Sequence, residues 1–528
     1  MFEKCHKCAK GLKCKDDAIT LKSGYWWEWQ NKTYRDRYKD FISNLMSSLP
    51  ALDASSVRYP FPVPTPYKCP REESCNGGLD SSCQSGYEGP LCEVCSSGYY
   101  KQLQACKQCP SNKWIVGQLS IAAAIIVFIA IALPLIARRM KKGTRKRPLI
   151  DTLLSKLKIV IGFYQVTCGL LQAFSYIKWP GTLQVIAQYS EILQMDVFQI
   201  VPIHCLFPEF RVNAFGSLFT IMTMNAVVIG FSCITYGMRK VIILRSRSLQ
   251  CDGKSKSIAQ TKEMVFRNLF FFLYVTYLST CVKTANVLPL ACQKLCRDVK
   301  EEYCGYYMKA DYSIQCQGNR YNHWLILAYV SAVYIFVLPL SSFIVLWGER
   351  RLAVIAGSDL FQDPRYGVEI ISGLYFLFKN YNHRSWYWEL VEMSRKVILT
   401  SGLILVGQES RSYIGLAWVI AGMYGVLFSW IKPIKDATEN RLMATSLAVT
   451  VANLCIGAVS RIPAEEISAD ADSYTDALLF KLLVLGANTL VIGLLVGKIT
   501  LPSIYFTFTV TKFIQLYRWI PLSPDTIC

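Results

Sequence analysis

Residues 386–396 read Trp-Tyr-Trp-Glu-Leu-Val-Glu-Met-Ser-Arg-Lys and lead straight into an apolar run. The uncharged stretch that follows, 397–407, has only 11 residues, about half of the ~20 that a helix needs to cross a bilayer. A crossing helix must therefore include 388–396, which draws Glu389, Glu392, Arg395 and Lys396 into the membrane. On such a helix Glu392 and Lys396 stand at i,i+4 in the favourable order, and Glu392 and Arg395 at i,i+3. Glu389 lies one turn earlier on a neighbouring face, and the flanking aromatics suit the membrane surface. Two readings compete. In one, the charges pair with one another and snorkel outward as an anchor. In the other, they form a buried polar network that gates or lines an ion or substrate path. Arg441, at the start of a later apolar run, is a candidate partner for Glu389 in either reading.

Cysteine spacing carries the second signal. Residues 1–112 hold ten of the 21 cysteines, including the run Cys83, Cys92, Cys95, Cys106 and Cys109. Cys-x2-Cys pairs suit zinc, but a small domain in an oxidising compartment favours disulfides. Spacing alone does not fix connectivity; the working expectation pairs Cys83 with Cys92, and Cys95 with either Cys106 or Cys109. Further along, Cys292, Cys296, Cys304 and Cys316 share one loop and Cys205 lies in another. Five cysteines cannot all pair among themselves, so one bridge is expected to join Cys205 to the 289–321 loop, the alternative being a free Cys205. Asn31-Lys32-Thr33 is an N-glycosylation acceptor triplet.

These residues need a membrane to position them. The 528-residue chain is 52% hydrophobic and 18% charged, where a soluble protein carries about 25% charged residues. Apolar runs at 114–137, 159–177, 213–237, 266–288, 322–347, 387–407, 413–431, 442–460 and 477–498 predict nine spans. The segment 501–520 mixes aromatics with Lys512 and Arg518 and reads as an interfacial or cytoplasmic helix. The net charge of +20 concentrates beside the spans, most densely at Arg138–Arg147. That pattern is the positive-inside signal and an attraction to anionic lipid, not a nucleic-acid surface. The basic connection 238–265 should be cytoplasmic, whereas the acidic connection 461–476 and the cysteine-bearing loop 289–321 should lie outside. The loop 178–212 also falls outside, and its spaced apolar residues predict a short amphipathic helix on the membrane or on the bundle. No signal peptide precedes Cys5, and the chain is expected to be the C-terminal part of a longer gene product.

The fold class expected is an all-α membrane bundle with a small disulfide-rich extracellular domain. Its divisions are 1–112 (cysteine-rich, EGF-like), 113–500 (nine-span) and 501–528 (cytoplasmic or interfacial). Cys5-x2-Cys8, Gly24-Tyr25-Trp26, Cys69-Pro70, Cys75-x-Gly77-Gly78 and Gly86-Tyr87-x-Gly89-Pro90-Leu91-Cys92-x2-Cys95 resemble EGF-like and ephrin-receptor-like modules of mostly uncharacterised protist and invertebrate surface proteins. Residues 307–316, Trp386–Lys396 and Lys432-Pro433…Glu439-Asn440-Arg441-Leu442 are similar to signatures of the membrane half of the same group. The resemblance implies a membrane domain loosely comparable to fungal TRP-like channels or carriers, with an outer module suited to a protein ligand.

No Walker loop, zinc-protease helix, nucleophile elbow or kinase set is present. The four histidines are scattered along the sequence. No enzyme, cofactor, metal or nucleic-acid partner is therefore expected. The functions in contention are a plasma-membrane channel or carrier for an ion or small molecule, and a receptor or adhesion protein without conduction.

Overall fold

A computed structural model describes residues 10–15, 18–47, 63–102, 105–120, 149–174, 179–190, 203–206, 213–245, 251–297, 303–355, 380–406 and 411–459, with isolated positions between them such as Cys8, Tyr59 and Phe378. Most of the first expected span, the basic cluster at 138–147, the ninth span, the 461–476 connection and the segment 501–528 lie outside the described residues.

The N-terminal region is built of short antiparallel hairpins: β1 (Leu12–Lys15) with β2 (Ala18–Leu21), β3 (Tyr25–Trp26) with β4 (Tyr67–Lys68), and β5 (Cys75–Gly77) with β6 (Ser82–Cys83). They continue as β7 (Tyr87–Glu88) with β8 (Val94–Cys95), and β9 (Tyr99–Gln102) with β10 (Ala105–Gln108). An isolated two-stranded hairpin is marginal in water, so covalent staples supply what the core cannot. Cys8–Cys14, Cys69–Cys75, Cys83–Cys92 and Cys95–Cys106 are disulfide-bonded. Gly86 and Gly89 turn the chain at φ +91° and +74°, angles that residues with a β-carbon resist. One helix, α1 (Lys32–Ser47), packs here through Tyr38, which is 2% exposed. Asn31 Oδ1 accepts the Tyr34 N–H at 2.9 Å and so caps α1.

The helical part begins with α2 (Leu149–Ala173), α3 (Gly181–Ser190) and the single turn α4 (Ile203–Leu206). It continues with three long helices, α5 (Ala214–Arg245), α6 (Cys251–Val287) and α7 (Asn319–Ile355). Then follow α8 (Trp388–Val397), a π-helical turn at Ile398–Gly402, α9 (Leu403–Val406), α10 (Arg411–Ile431) and α11 (Ala437–Val459). Among the described residues five helices are long and apolar enough to cross a membrane: Ala214–Arg245, Gly253–Val287, Asn319–Gly348, Tyr413–Ile431 and Ala437–Val459. Their outer faces expose Phe231, Ile242, Phe336 and Met423, the surface that lipid covers. The basic connection 238–265 is mostly helical, because α5 and α6 run on past their apolar stretches. α3 lies on the bundle with Leu183 and Ala187 fully buried against α2, α10 and α11.

Between α6 and α7 the chain forms the three-stranded antiparallel sheet β11 (Cys292–Cys296), β12 (Cys304–Met308) and β13 (Asp311–Gln315). One face packs on the helices, where Met308 and Ile314 join Phe215, Leu218 and Tyr321. The other docks on the N-terminal module, where Leu295 and Tyr307 share a core with Trp26, Leu91 and Cys92. Arg297 donates two 3.0 Å hydrogen bonds to Glu28, and the Cys296 N–H donates to Tyr67 Oη at 2.7 Å.

The expected bridge from Cys205 to this loop does not form. The loop cysteines pair with each other, Cys292 with Cys316 and Cys296 with Cys304. Cys205 bonds Cys109, 96 residues upstream. Once Cys95 bonds Cys106, Cys109 is left at the end of the module to reach Cys205. Docking on the sheet supplies the contact between module and loop without a covalent link to it.

Candidate functional site

α8 places Glu389, Glu392 and Arg395 inward, at 1%, 3% and 6% exposure. A charge this deep costs several kcal/mol unless paired, and each has a partner. Glu392 accepts a bidentate pair from Arg395, at 2.9 Å from Nε and 2.6 Å from Nη2. The Arg395 guanidinium also sits over the Tyr424 ring at 5.0 Å. Lys396 Nζ lies 3.7 Å from Glu392. Glu389 pairs with Lys158 of α2 at 2.7 Å and accepts hydrogen bonds from Tyr274 of α6 and from Tyr381 at 2.7 Å.

Arg441 does not take part. It is exposed, one turn into α11, while Lys158 occupies the place expected for it beside Glu389. The reason is the start of α2. The helix begins at Leu149, well before the apolar run at 159, and carries Lys158 into the bundle. The α11 residue that does turn inward is Glu439, 1% exposed, which accepts a 2.8 Å hydrogen bond from Ser155. Asn380 donates to the same Ser155 hydroxyl. Sequence reasoning missed Lys158, Tyr274, Tyr381 and Glu439. The signal available for two of them was an ionisable residue within one turn of an apolar run's start.

Lys158, Arg395 and Lys396 thus face Glu389, Glu392 and Glu439 around one cavity of about 30 Å³, with Ser446 and Thr450 of α11 above. That is room for one or two waters. The site borders the π-helical turn, a feature frequent at functional sites. There Thr400 packs against Gly169 of α2, where a β-carbon would come within 2.5 Å of its methyl.

Elsewhere in the bundle polar residues hold helices together. Asn225 of α5 donates to Thr280 at 3.2 Å and accepts from Thr276 at 2.9 Å, both on α6. Among the described residues no group of three or more His, Cys, Asp or Glu is placed to hold a metal ion.

Residues 67–109 match a family described as a domain of unknown function (DUF7630). They are the stapled hairpins from β4 to Cys109, the segment that closes on Cys205. The chain is similar to cysteine repeat modular protein A of Toxoplasma gondii, 23% identical over 462 residues that cover 74% of this chain. The chain spans only 14% of that relative's length. No solved structure matches. The apolar helices, the disulfide-bonded region and this distant similarity together describe a membrane protein that carries a cysteine-rich module.

Proposed function

We propose that the chain is a multi-pass plasma-membrane protein that works as a channel or carrier, with the cysteine-rich module outside as its recognition element. In this reading nine spans cross the membrane, the C-terminus is cytoplasmic, and Asn31 is glycosylated. The exposed Asn31 suits that, because capping α1 uses only its Oδ1 and leaves the amide nitrogen for a glycan.

The observation that carries the reading is the gathering of six ionisable side chains from three separate helices around one cavity, with Glu389, Glu392, Arg395 and Glu439 buried. Residues of this kind within a membrane are rare and mark pathways or relays. An anchor would need only neighbours on its own helix. Here α2 and α11 each contribute a charge to a site centred on α8. The small cavity corresponds to a closed state. Opening moves α8 against α2 at the π-helical turn.

Reconstitution of the full chain in liposomes tests this directly. Release of entrapped monovalent cations above that of protein-free vesicles, altered in rate by Glu389→Gln, is the expected result. Vesicles as tight as controls would argue against conduction.

A second reading, a receptor or adhesion protein without conduction, is favoured by the docking of the module on the β11–β13 sheet. That contact gives an outer ligand a rigid route to α5 and α7. Tight vesicles together with a specific ligand for residues 1–112 would support it.

A further inference from the structure

α7 runs unbroken from Asn319 to Ile355 with Pro339 inside it. A proline has no N–H, so the carbonyl four residues back, that of Ile335, loses its partner in the helical ladder. The gap falls within the apolar span Asn319–Gly348, where lipid offers no replacement donor. A side chain from the neighbouring helix does. Tyr277 of α6 donates its hydroxyl to the Ile335 carbonyl at 3.1 Å. Just past the proline, Ser341 and Ser342 both donate to the Leu338 carbonyl, at 3.0 and 2.8 Å. Such back-bonding by hydroxyls bends helices, and proline is among the few causes of a sharp kink.

The two halves of α7 are tied to different partners. On the sheet side of Pro339, Tyr321 and Ala328 pack with Met308 and Ile314 of β12 and β13. There Ser331 shares a 2.6 Å hydrogen bond with Thr284 of α6, and α6 is tied to α5 through Asn225. On the far side, Val345 and Leu346 pack with Trp386, whose ring stacks on Phe343 at 5.7 Å. Trp386 stands just before α8, close to Glu389 in its first turn. Phe270 and Tyr274 of α6 border that cluster, but apolar packing of this kind has no fixed direction. The half that touches α8 thus lies beyond the interrupted ladder. Tyr277 itself shares a cluster with Ile335 and with Met393 of α8.

We propose that Pro339 is a hinge in α7, latched by the Tyr277 hydroxyl, about which the far half of α7 moves together with Trp386 and the start of α8. With the hydrogen bond made, the two halves keep one arrangement. When Tyr277 lets go, the far half swings, and Trp386 shifts the start of α8, and with it Glu389, against Lys158 of α2. The sheet that carries the module and the charge cluster are joined through this one hydrogen bond. The hinge itself does not depend on conduction.

Thermal melting of the purified full chain in detergent tests the latch. Tyr277→Phe keeps the ring and removes only the hydroxyl, and Pro339→Ala returns an N–H to the Ile335 carbonyl. The fall in melting temperature on Tyr277→Phe is expected to be at least twice as large in the parent as in the Pro339→Ala background, because the two residues serve the same carbonyl. Equal falls in both backgrounds would overturn the latch. Distances between nitroxide pairs carried on unnatural amino acids test the hinge. Met238 with Ile344 reports on the far half and Val227 with Val333 on the sheet side, all four exposed. Tyr277→Phe should broaden the Met238–Ile344 distribution, leave Val227–Val333 as it is, and lose that effect when Pro339→Ala is added. Equal broadening of both pairs would mean a general loosening, and no broadening of either would mean a rigid helix; each result overturns the proposal.

Discussion

The cysteine-rich module and the polar centre of the bundle are held together by opposite means. In the module, hairpins of two to four residues a strand enclose a few buried aromatics, and disulfides close segments of 6 to 11 residues. In the bundle, side chains far apart in sequence meet without covalent help: Lys158 with Glu389, Ser155 with Glu439. A staple acts mainly on the unfolded chain by restricting it. A buried ion pair offsets its own desolvation only while both partners are present. The module should therefore tolerate local change and fail when a bond is lost. The bundle centre should fail when one charge is removed, and recover when its partner goes too.

The largest effect is expected in the bundle. Glu392→Gln strands the Arg395 guanidinium at 6% exposure and should cost about 3–5 kcal/mol. Thermal melting in detergent and surface biotinylation measure it. The double change Glu392→Gln with Arg395→Gln should recover much of the loss. Recovery with Lys396→Gln instead would mean that the 3.7 Å contact, not the bidentate one, holds the site.

Next comes the bond that joins the two regions. Cys205→Ser opens a bridge spanning 96 residues and should cost about 2–5 kcal/mol. Non-reducing peptide mapping should then show Cys109 alkylated while the Cys83–Cys92 and Cys95–Cys106 peptides stay linked. Alkylation of Cys205 in the unreduced parent chain would break the account of how module and bundle are tied.

Smaller effects sharpen the contrast. Gly169→Ala presses a methyl on Thr400 at the π-helical turn. Overpacking of about 1–3 kcal/mol is offset by about 1 kcal/mol of helix propensity, so a modest fall in melting temperature is expected.

Asp436 provides the pH test. Its Oδ1 accepts the N–H groups of Thr438 and Glu439 at 2.7 and 3.1 Å, capping α11. Burial pushes the carboxyl up, but those backbone donors outweigh it and hold it below the ordinary carboxylate value. A carboxyl depressed in the folded state stabilises fully above its unfolded value of about 3.9 and loses that contribution as pH falls through the folded value. Asp436→Ala should cost about 0.5–2 kcal/mol at neutral pH. Its stability loss relative to the parent should shrink below about pH 4.

What the sequence disclosed follows the same divide. The Cys83–Cys92 pairing could be proposed because the partners lie close enough for spacing to matter. Glu392 with Arg395 could be proposed because helical periodicity places them together. Lys158 with Glu389 could not, since nothing local joins residues 231 positions apart. Cys109 with Cys205 was hidden for the same reason. The α2 start was misplaced because hydropathy marks where lipid contact begins, whereas the helix extends back through Ser155 and Lys158, whose polar groups find partners inside the bundle. The π-helical turn left no trace in composition.

The proposed function has the charge cluster close a conducting path. Whole-cell recording from cells carrying the parent chain or Glu389→Gln, at surface levels matched by biotinylation, tests it most directly. Currents above those of untransfected cells are expected for the parent, and a changed amplitude or voltage dependence for Glu389→Gln. Parent chain at the surface with currents indistinguishable from untransfected cells would contradict it.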